Sequence, residues 1–121
     1  MKTNFENIRE AGYCYAAFRV VGDSMDNGLR DSFEDGDKLL VLPVSVEELK
    51  EGPSGFWVLE VGSSILFKQI TKYDRDSETI VCHSLNPNYK DIPVSVGQIN
   101  KVYRVAQRRS QHTLYPAYED I

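Results

Sequence analysis

The sequence is poor in the residues that build metal centres and disulfide frameworks. Its 121 residues include two cysteines, Cys14 and Cys82, and two histidines, His83 and His112. Neither pair has ligand spacing, which excludes a zinc site. The two thiols lie far apart, one in an aromatic run and one in an apolar run. Each reads as a buried, unpaired cysteine in a reducing compartment. No apolar stretch reaches the ~18 residues that span a bilayer, and no signal-peptide pattern is present. A soluble, cytoplasmic protein without a membrane partner is therefore expected. Surplus positive charge is missing too: 14 Lys and Arg stand against 18 Asp and Glu, a net charge of −4. That excludes a free-standing nucleic-acid binder, whose phosphate contacts need a basic face. The glycines are dispersed with no GxxxxGK loop, and neither histidine sits in a nucleophile-elbow context. Phosphate-loop and Ser-His-Asp chemistry fall away with them, and no cofactor or metal is expected.

What the sequence does contain is enough apolar material for one core. Hydrophobic residues make up 41% and aromatics 11%, which fits a single small domain and rules out both a disordered chain and two full domains. Residues 1–12 are polar with scattered Phe5 and Ile8, so residues 1–15 read as a loose leader or linker remnant with one short helical turn at most. Residues 16–106 then carry six short β-like runs: AAFRVVG, DKLLVLP, GFWVLEV, SILFKQI, ETIVCH and INKVYRVA. Turn residues separate them, notably Asp35-Gly36-Asp37, Asp74-Arg75-Asp76-Ser77 and Asn86-Pro87-Asn88. Between the second and third runs, Ser45 and Glu48 have capping-box spacing and Gly52 can stop a helix, which predicts one short helix. Residues 107–121 show no strand or helix period and read as an exposed tail. The expected fold is mostly β, a compact arrangement of short twisted sheets.

Two local patterns carry chemistry. In Phe18-Arg19-Val20-Val21-Gly22-Asp23-Ser24-Met25, a strand period continued to its end places Phe18, Val20, Gly22 and Ser24 on one face. A serine just past a glycine can hold its hydroxyl beside exposed backbone N–H groups, the geometry of an oxyanion site; the same residues also suit a plain turn. In Ile65-Leu66-Phe67-Lys68-Gln69-Ile70, the same period aligns Lys68 with Leu66 and Ile70. On a core face, desolvation lowers the lysine's pKa and makes a general base of it; on a solvent face, Lys68 is an edge-strand charge. A serine nucleophile with a lysine base is one of the known variants of serine catalysis.

Four motifs in order, Val21-Gly22-Asp23-Ser24-Met25, Phe33-Glu34-Asp35-Gly36-Asp37, Leu66-Phe67-Lys68-Gln69-Ile70 and Ser84-Leu85-Asn86-Pro87-Asn88-Tyr89, resemble the C-terminal peptidase domain of LexA-like repressors, a family that includes phage lambda-type repressors and UmuD-like proteins. The resemblance covers residues 18–105. It implies an autoproteolytic serine endopeptidase with Ser24 as nucleophile and Lys68 as general base. The backbone N–H groups of Asp23 and Ser24 would be the oxyanion donors, and Met25 would lie beside the nucleophile. Asp35-Gly36-Asp37 would be a structural turn.

The resemblance also implies transcription regulation in a phage or SOS-type response, cleavage stimulated by a RecA filament, and a homodimer, whose contacts are placed near residues 99–106. DNA would be reached only through a helix-turn-helix domain that this sequence lacks, so the chain is expected to be an excised domain or a short UmuD-like form. Residues 27–32 look like an insertion after the nucleophile that alters access to Ser24. The family cuts Ala-Gly or Cys-Gly bonds upstream of its serine; here Ala11-Gly12 is one candidate, and a chance dipeptide is the other reading. The rival class is a non-catalytic dimerisation or regulatory module, which would hold if Lys68 were exposed or kept away from Ser24. A signal-peptidase relative is disfavoured by the lack of an anchor.

Overall fold

The computed structural model describes residues 7–10 and 13–110, with side chains from Ala16 onward. Strand β1 is Asn7–Glu10, β2 Tyr13–Arg19 and β3 Lys38–Val44; helix α1 is Val46–Glu51; then come β4 Gly55–Val61, β5 Ser64–Asp74, β6 Thr79–His83, β7 Ile92–Ser95 and β8 Ile99–Arg109. All described strands join one antiparallel sheet in the order β1-β2-β3-β8-β4-β5-β6-β7. The six expected strands are present, and the fold is mostly β as expected.

Strand alternation sorts the apolar residues into two cores. On β4, Val58 belongs to one cluster with Phe18, Leu39, Val41, Phe67 and Tyr103. Its neighbours Trp57 and Leu59 belong to the other, with Leu49, Ile70, Ile80, Cys82 and Val102. A strand buried on both faces reads as a continuous apolar run rather than an alternating one, which is how GFWVLEV is written. The helix forms where its caps stand. The Ser45 hydroxyl accepts from the Glu48 N–H at 3.1 Å, and Leu49 points its side chain into the second core. The β4–β5 connection is a two-residue hairpin, since Val61 pairs with Ser64. Gly62 takes φ +58 there, a left-handed conformation that glycine adopts without steric cost.

Several expectations are corrected. Residues 7–10 and 13–15 are strand rather than a loose stretch with a helical turn: β1 pairs with β2, and β2 begins at Tyr13 rather than at Ala16. Pairing along β1 supplies the order that the polar side chains do not announce. Residues 107–109 are not tail: they extend β8, and Lys38, Leu39 and Leu40 pair with Arg109, Arg108 and Gln107. A bulge between Leu40 and Val41 interrupts the alternation there, which hides the strand from a period-two reading. Residues 111–121, including His112, lie outside the described residues. The four-residue β7 also went unread, because Pro93 weakens its strand signal. Finally, β8 lies between β3 and β4 in the sheet. Both neighbours pair with residues 102–104, whereas residues 99–101 are paired on the β4 side alone and residue 105 on the β3 side alone.

Candidate active site

Strand β2 ends at Arg19, so the period of two does not continue to Ser24; residues 22–25 form a turn. The chain is turned by Gly22 at φ +90, whose N–H donates to Asp35 Oδ1 at 2.7 Å. Val20 is fastened on both sides of the same turn: its N–H donates to the Asp37 carbonyl and its carbonyl accepts from the Gly36 N–H, each at 2.8 Å. Asp35-Gly36-Asp37 is thus the anchor of the Ser24 loop. Met25 is fully buried, and its carbonyl accepts from the Phe33 N–H at 2.8 Å. Phe33 packs edge-on against Phe67, the residue before Lys68, with ring centroids 4.8 Å apart. The loop that bears the serine is therefore pinned to the strand that bears the lysine.

Lys68 lies in the middle of β5, an internal strand between β4 and β6, and is only 7% exposed. The solvent-face reading of this lysine is overturned by its burial. Its Nζ lies 3.1 Å from Ser24 Oγ and 2.8 Å from Ser84 Oγ. Among the described residues no carboxylate pairs with it. Burial pulls its pKa below the ordinary 10.5, opposed by the charge interaction with Cys82. Desolvation disfavours the ammonium when no anion compensates it. Burial pushes the Cys82 thiol in turn up to about 11.

A second segment closes the site from the other side. After β6, Ser84 is buried, and the Asn86 N–H donates to the Ser24 carbonyl at 2.9 Å. The Asn86 side-chain amide donates to the Asp23 carbonyl at 3.1 Å. The Tyr89 hydroxyl donates to the Asp23 carboxylate at 2.5 Å, and the Tyr89 ring centroid lies 5.9 Å from Lys68 Nζ. This bond to Asp23 is the main cause of the raised Tyr89 pKa. The carbonyls of Asp23 and Ser24 are thus taken, while among the described residues their N–H groups have no acceptor. A cleft of about 90 Å³ opens at Ser24 and Lys68, with Val20, Val21, Met25 and Phe67 in its walls.

Ser24, Lys68, Asp23 and Met25 come together in this arrangement. The insertion does not crowd them: residues 26–32 fold back to Phe33 and border a separate hollow that reaches Arg108. Ala11-Gly12 lies outside the described residues; Glu10 and Tyr13 on either side of it are paired in β1 and β2. Ser84, Asn86 and Tyr89, from the fourth motif, join the site as well; the sequence marks Asn86 only as a turn residue. The signal for Ser84 was present, because Ile80, Cys82 and Ser84 continue one alternation onto the buried face.

The Peptidase S24-like family model matches residues 2–106 of the chain. No curated protein matches it.

Proposed function

Because the chain belongs to the Peptidase S24-like family, we propose that it is a serine endopeptidase in which Ser24 attacks a peptide carbonyl and Lys68 serves as general base. The observation that carries this reading is the 3.1 Å contact between Ser24 Oγ and a Lys68 Nζ that is buried without a carboxylate partner. The neutral amine of Lys68 takes the Ser24 hydroxyl proton as Oγ bonds to the carbonyl carbon. The oxyanion that forms is met by the Asp23 and Ser24 N–H groups. As the tetrahedral intermediate collapses, the C–N bond breaks and the Lys68 ammonium returns its proton to the leaving amine. A water then gives its proton to Lys68 and hydrolyses the acyl-enzyme, releasing the acid and restoring Ser24.

The substrate this site favours is an extended peptide. Strand β6 pairs with β5 only from Gln69 onward, which leaves the β6-facing edge of residues 64–68 without a strand partner beside the cleft. An extended segment laid there gains main-chain hydrogen bonds and passes the Ser24 hydroxyl. Within one chain, Tyr13 stands about 20 Å along β2 from Arg19. Were Ala11-Gly12 the bond cut, a second copy or the separation of β1 from β2 would have to bring it to Ser24; the other reading, a chance dipeptide with the true bond upstream or in another chain, needs neither. A repressor or SOS-type context, RecA stimulation and a homodimer remain part of the proposal through the resemblance alone.

The test is intact mass against time for this chain, with and without an added Ala-Gly peptide, across a pH series. Cleavage that rises with pH and is lost in Ser24→Ala and Lys68→Ala supports the reading. No cleavage at any pH, with the fold intact, favours a non-catalytic dimerisation or regulatory module.

A further inference from the structure

We propose that Ser84 is a positioning residue that aims Lys68 at Ser24, a role that rests on the dyad reading above. A lysine amine sits on a four-carbon stem with many rotamers, so burial alone does not direct its lone pair. A neutral amine has two N–H donors and one acceptor lone pair. To take the serine proton, the lone pair must face Ser24 Oγ, which leaves the N–H groups to be held elsewhere. Ser84 Oγ lies 2.8 Å from Lys68 Nζ, closer than Ser24 Oγ at 3.1 Å. Ser84 is 1% exposed, so bulk water does not compete for this contact.

The backbone gives Ser84 a fixed place from which to act. It directly follows β6, which pairs with β5 through Gln69–His83 and Ile70–Cys82, the residues next to both partners. Two residues later the Asn86 N–H donates to the Ser24 carbonyl at 2.9 Å. One short segment therefore holds the base with a side chain and the nucleophile with its backbone, and so sets the gap between them. Displacement of a reacting group by about 1 Å costs on the order of 100-fold in rate.

The experiment uses the full chain with Ser84→Ala and Ser84→Thr. One arm measures kcat and KM on an Ala-Gly peptide as a function of pH. The other follows the Lys68 side-chain NMR resonances through a pH titration in a Ser24→Ala background, where no chemistry is needed. The titratable groups facing Lys68 are the Cys82 thiol from β6 and the Tyr89 phenol with its Asp23 partner. The Cys82 and Tyr89 groups are both shifted upward.

The expected result for Ser84→Ala is a 10- to 100-fold loss in kcat with KM within about two-fold. The Lys68 titration midpoint also falls, because the ammonium loses an acceptor. Ser84→Thr, which keeps the hydroxyl, returns both values toward wild type. Unchanged kcat and an unchanged midpoint in a folded Ser84→Ala protein overturn the proposal. A midpoint that moves while the wild type cleaves nothing upholds the Ser84–Lys68 tie and overturns the peptidase reading instead. If Ser84→Ala does not fold, the near-isosteric Ser84→Cys, a weak acceptor, decides the same question.

Discussion

Lys68 Nζ reaches Ser24 Oγ at 3.1 Å across 44 residues of sequence. The contact is not local to either element: Ser24 sits in a turn after β2, and Lys68 in the interior of β5. What joins them is apolar. Met25 and Phe33 share a core cluster with Phe67, and the Phe33 ring packs edge-on against both Phe56 and Phe67. Folding of the core and assembly of the site are in this sense one event.

Phe33→Ala is therefore expected to weaken both. Loss of a buried aromatic costs about 3–5 kcal/mol, read as a lower urea midpoint. At temperatures where the variant remains folded, cleavage should fall further than the folded fraction accounts for, because the Ser24 loop loses its fastening to β5. Activity that simply follows the folded fraction would show that the loop does not depend on Phe33.

Cleavage should rise with pH. Burial lowers the Lys68 pKa from 10.5, so the rate climbs to a plateau with a midpoint below that value. The stability linkage has the same sign. Between the folded midpoint and 10.5 the unfolded chain binds more protons, so the contribution of Lys68 to stability grows with pH across that window. Lys68→Arg, which stays protonated, should be inactive at every pH. A flat rate profile from about pH 7 to 10 counts against Lys68 as the base.

Asn86→Ala removes the amide that donates to the Asp23 carbonyl but leaves the backbone donor to Ser24. The expected result is a partial defect: a stability loss of about 1–2 kcal/mol for the unsatisfied group and a several-fold drop in kcat. Peptide cleavage and chemical denaturation measured on the same preparation separate the two. A complete loss of activity with full stability would place Asn86 in contact with substrate.

Much of the fold was legible in the sequence, for identifiable reasons. The six longer strands announce themselves by apolar runs between turn residues, and α1 by Ser45, Glu48 and Gly52. The strands that escaped lack those marks. β1 is polar, β7 contains Pro93, and the end of β8 follows a bulge opposite Leu40. In the site, Ser24 and Lys68 were visible as a serine after a glycine and a lysine between aliphatics. Which face of β5 was buried was not, because strand order decides it, and strand order is a property of distant pairings. Asn86 was read only as a turn residue: Asn-Pro-Asn is ordinary turn chemistry, and nothing local shows that Asn86 lies against Asp23 and Ser24.

Cys82 offers a test of the same buried environment by a different group. It is fully buried, and burial raises its pKa from 9.0 to about 11. The thiolate is the reactive form, so at pH 8 roughly one part in a thousand is ionised. Iodoacetamide should leave Cys82 unmodified in the folded protein and label it once urea unfolds the chain, with peptide mass mapping to tell Cys82 from Cys14. The linkage runs opposite to that of Lys68. Between 9.0 and about 11 the folded state holds the proton that the unfolded state releases, so the contribution of Cys82 to stability is complete below pH 9 and is lost as pH rises toward 11. Cys82→Ala removes this term. The stability gap between wild type and variant should therefore narrow from pH 8 to pH 11, while a constant gap, or labelling of Cys82 in the native state, would mean that the strand face shared by Cys82 and Lys68 is open to water.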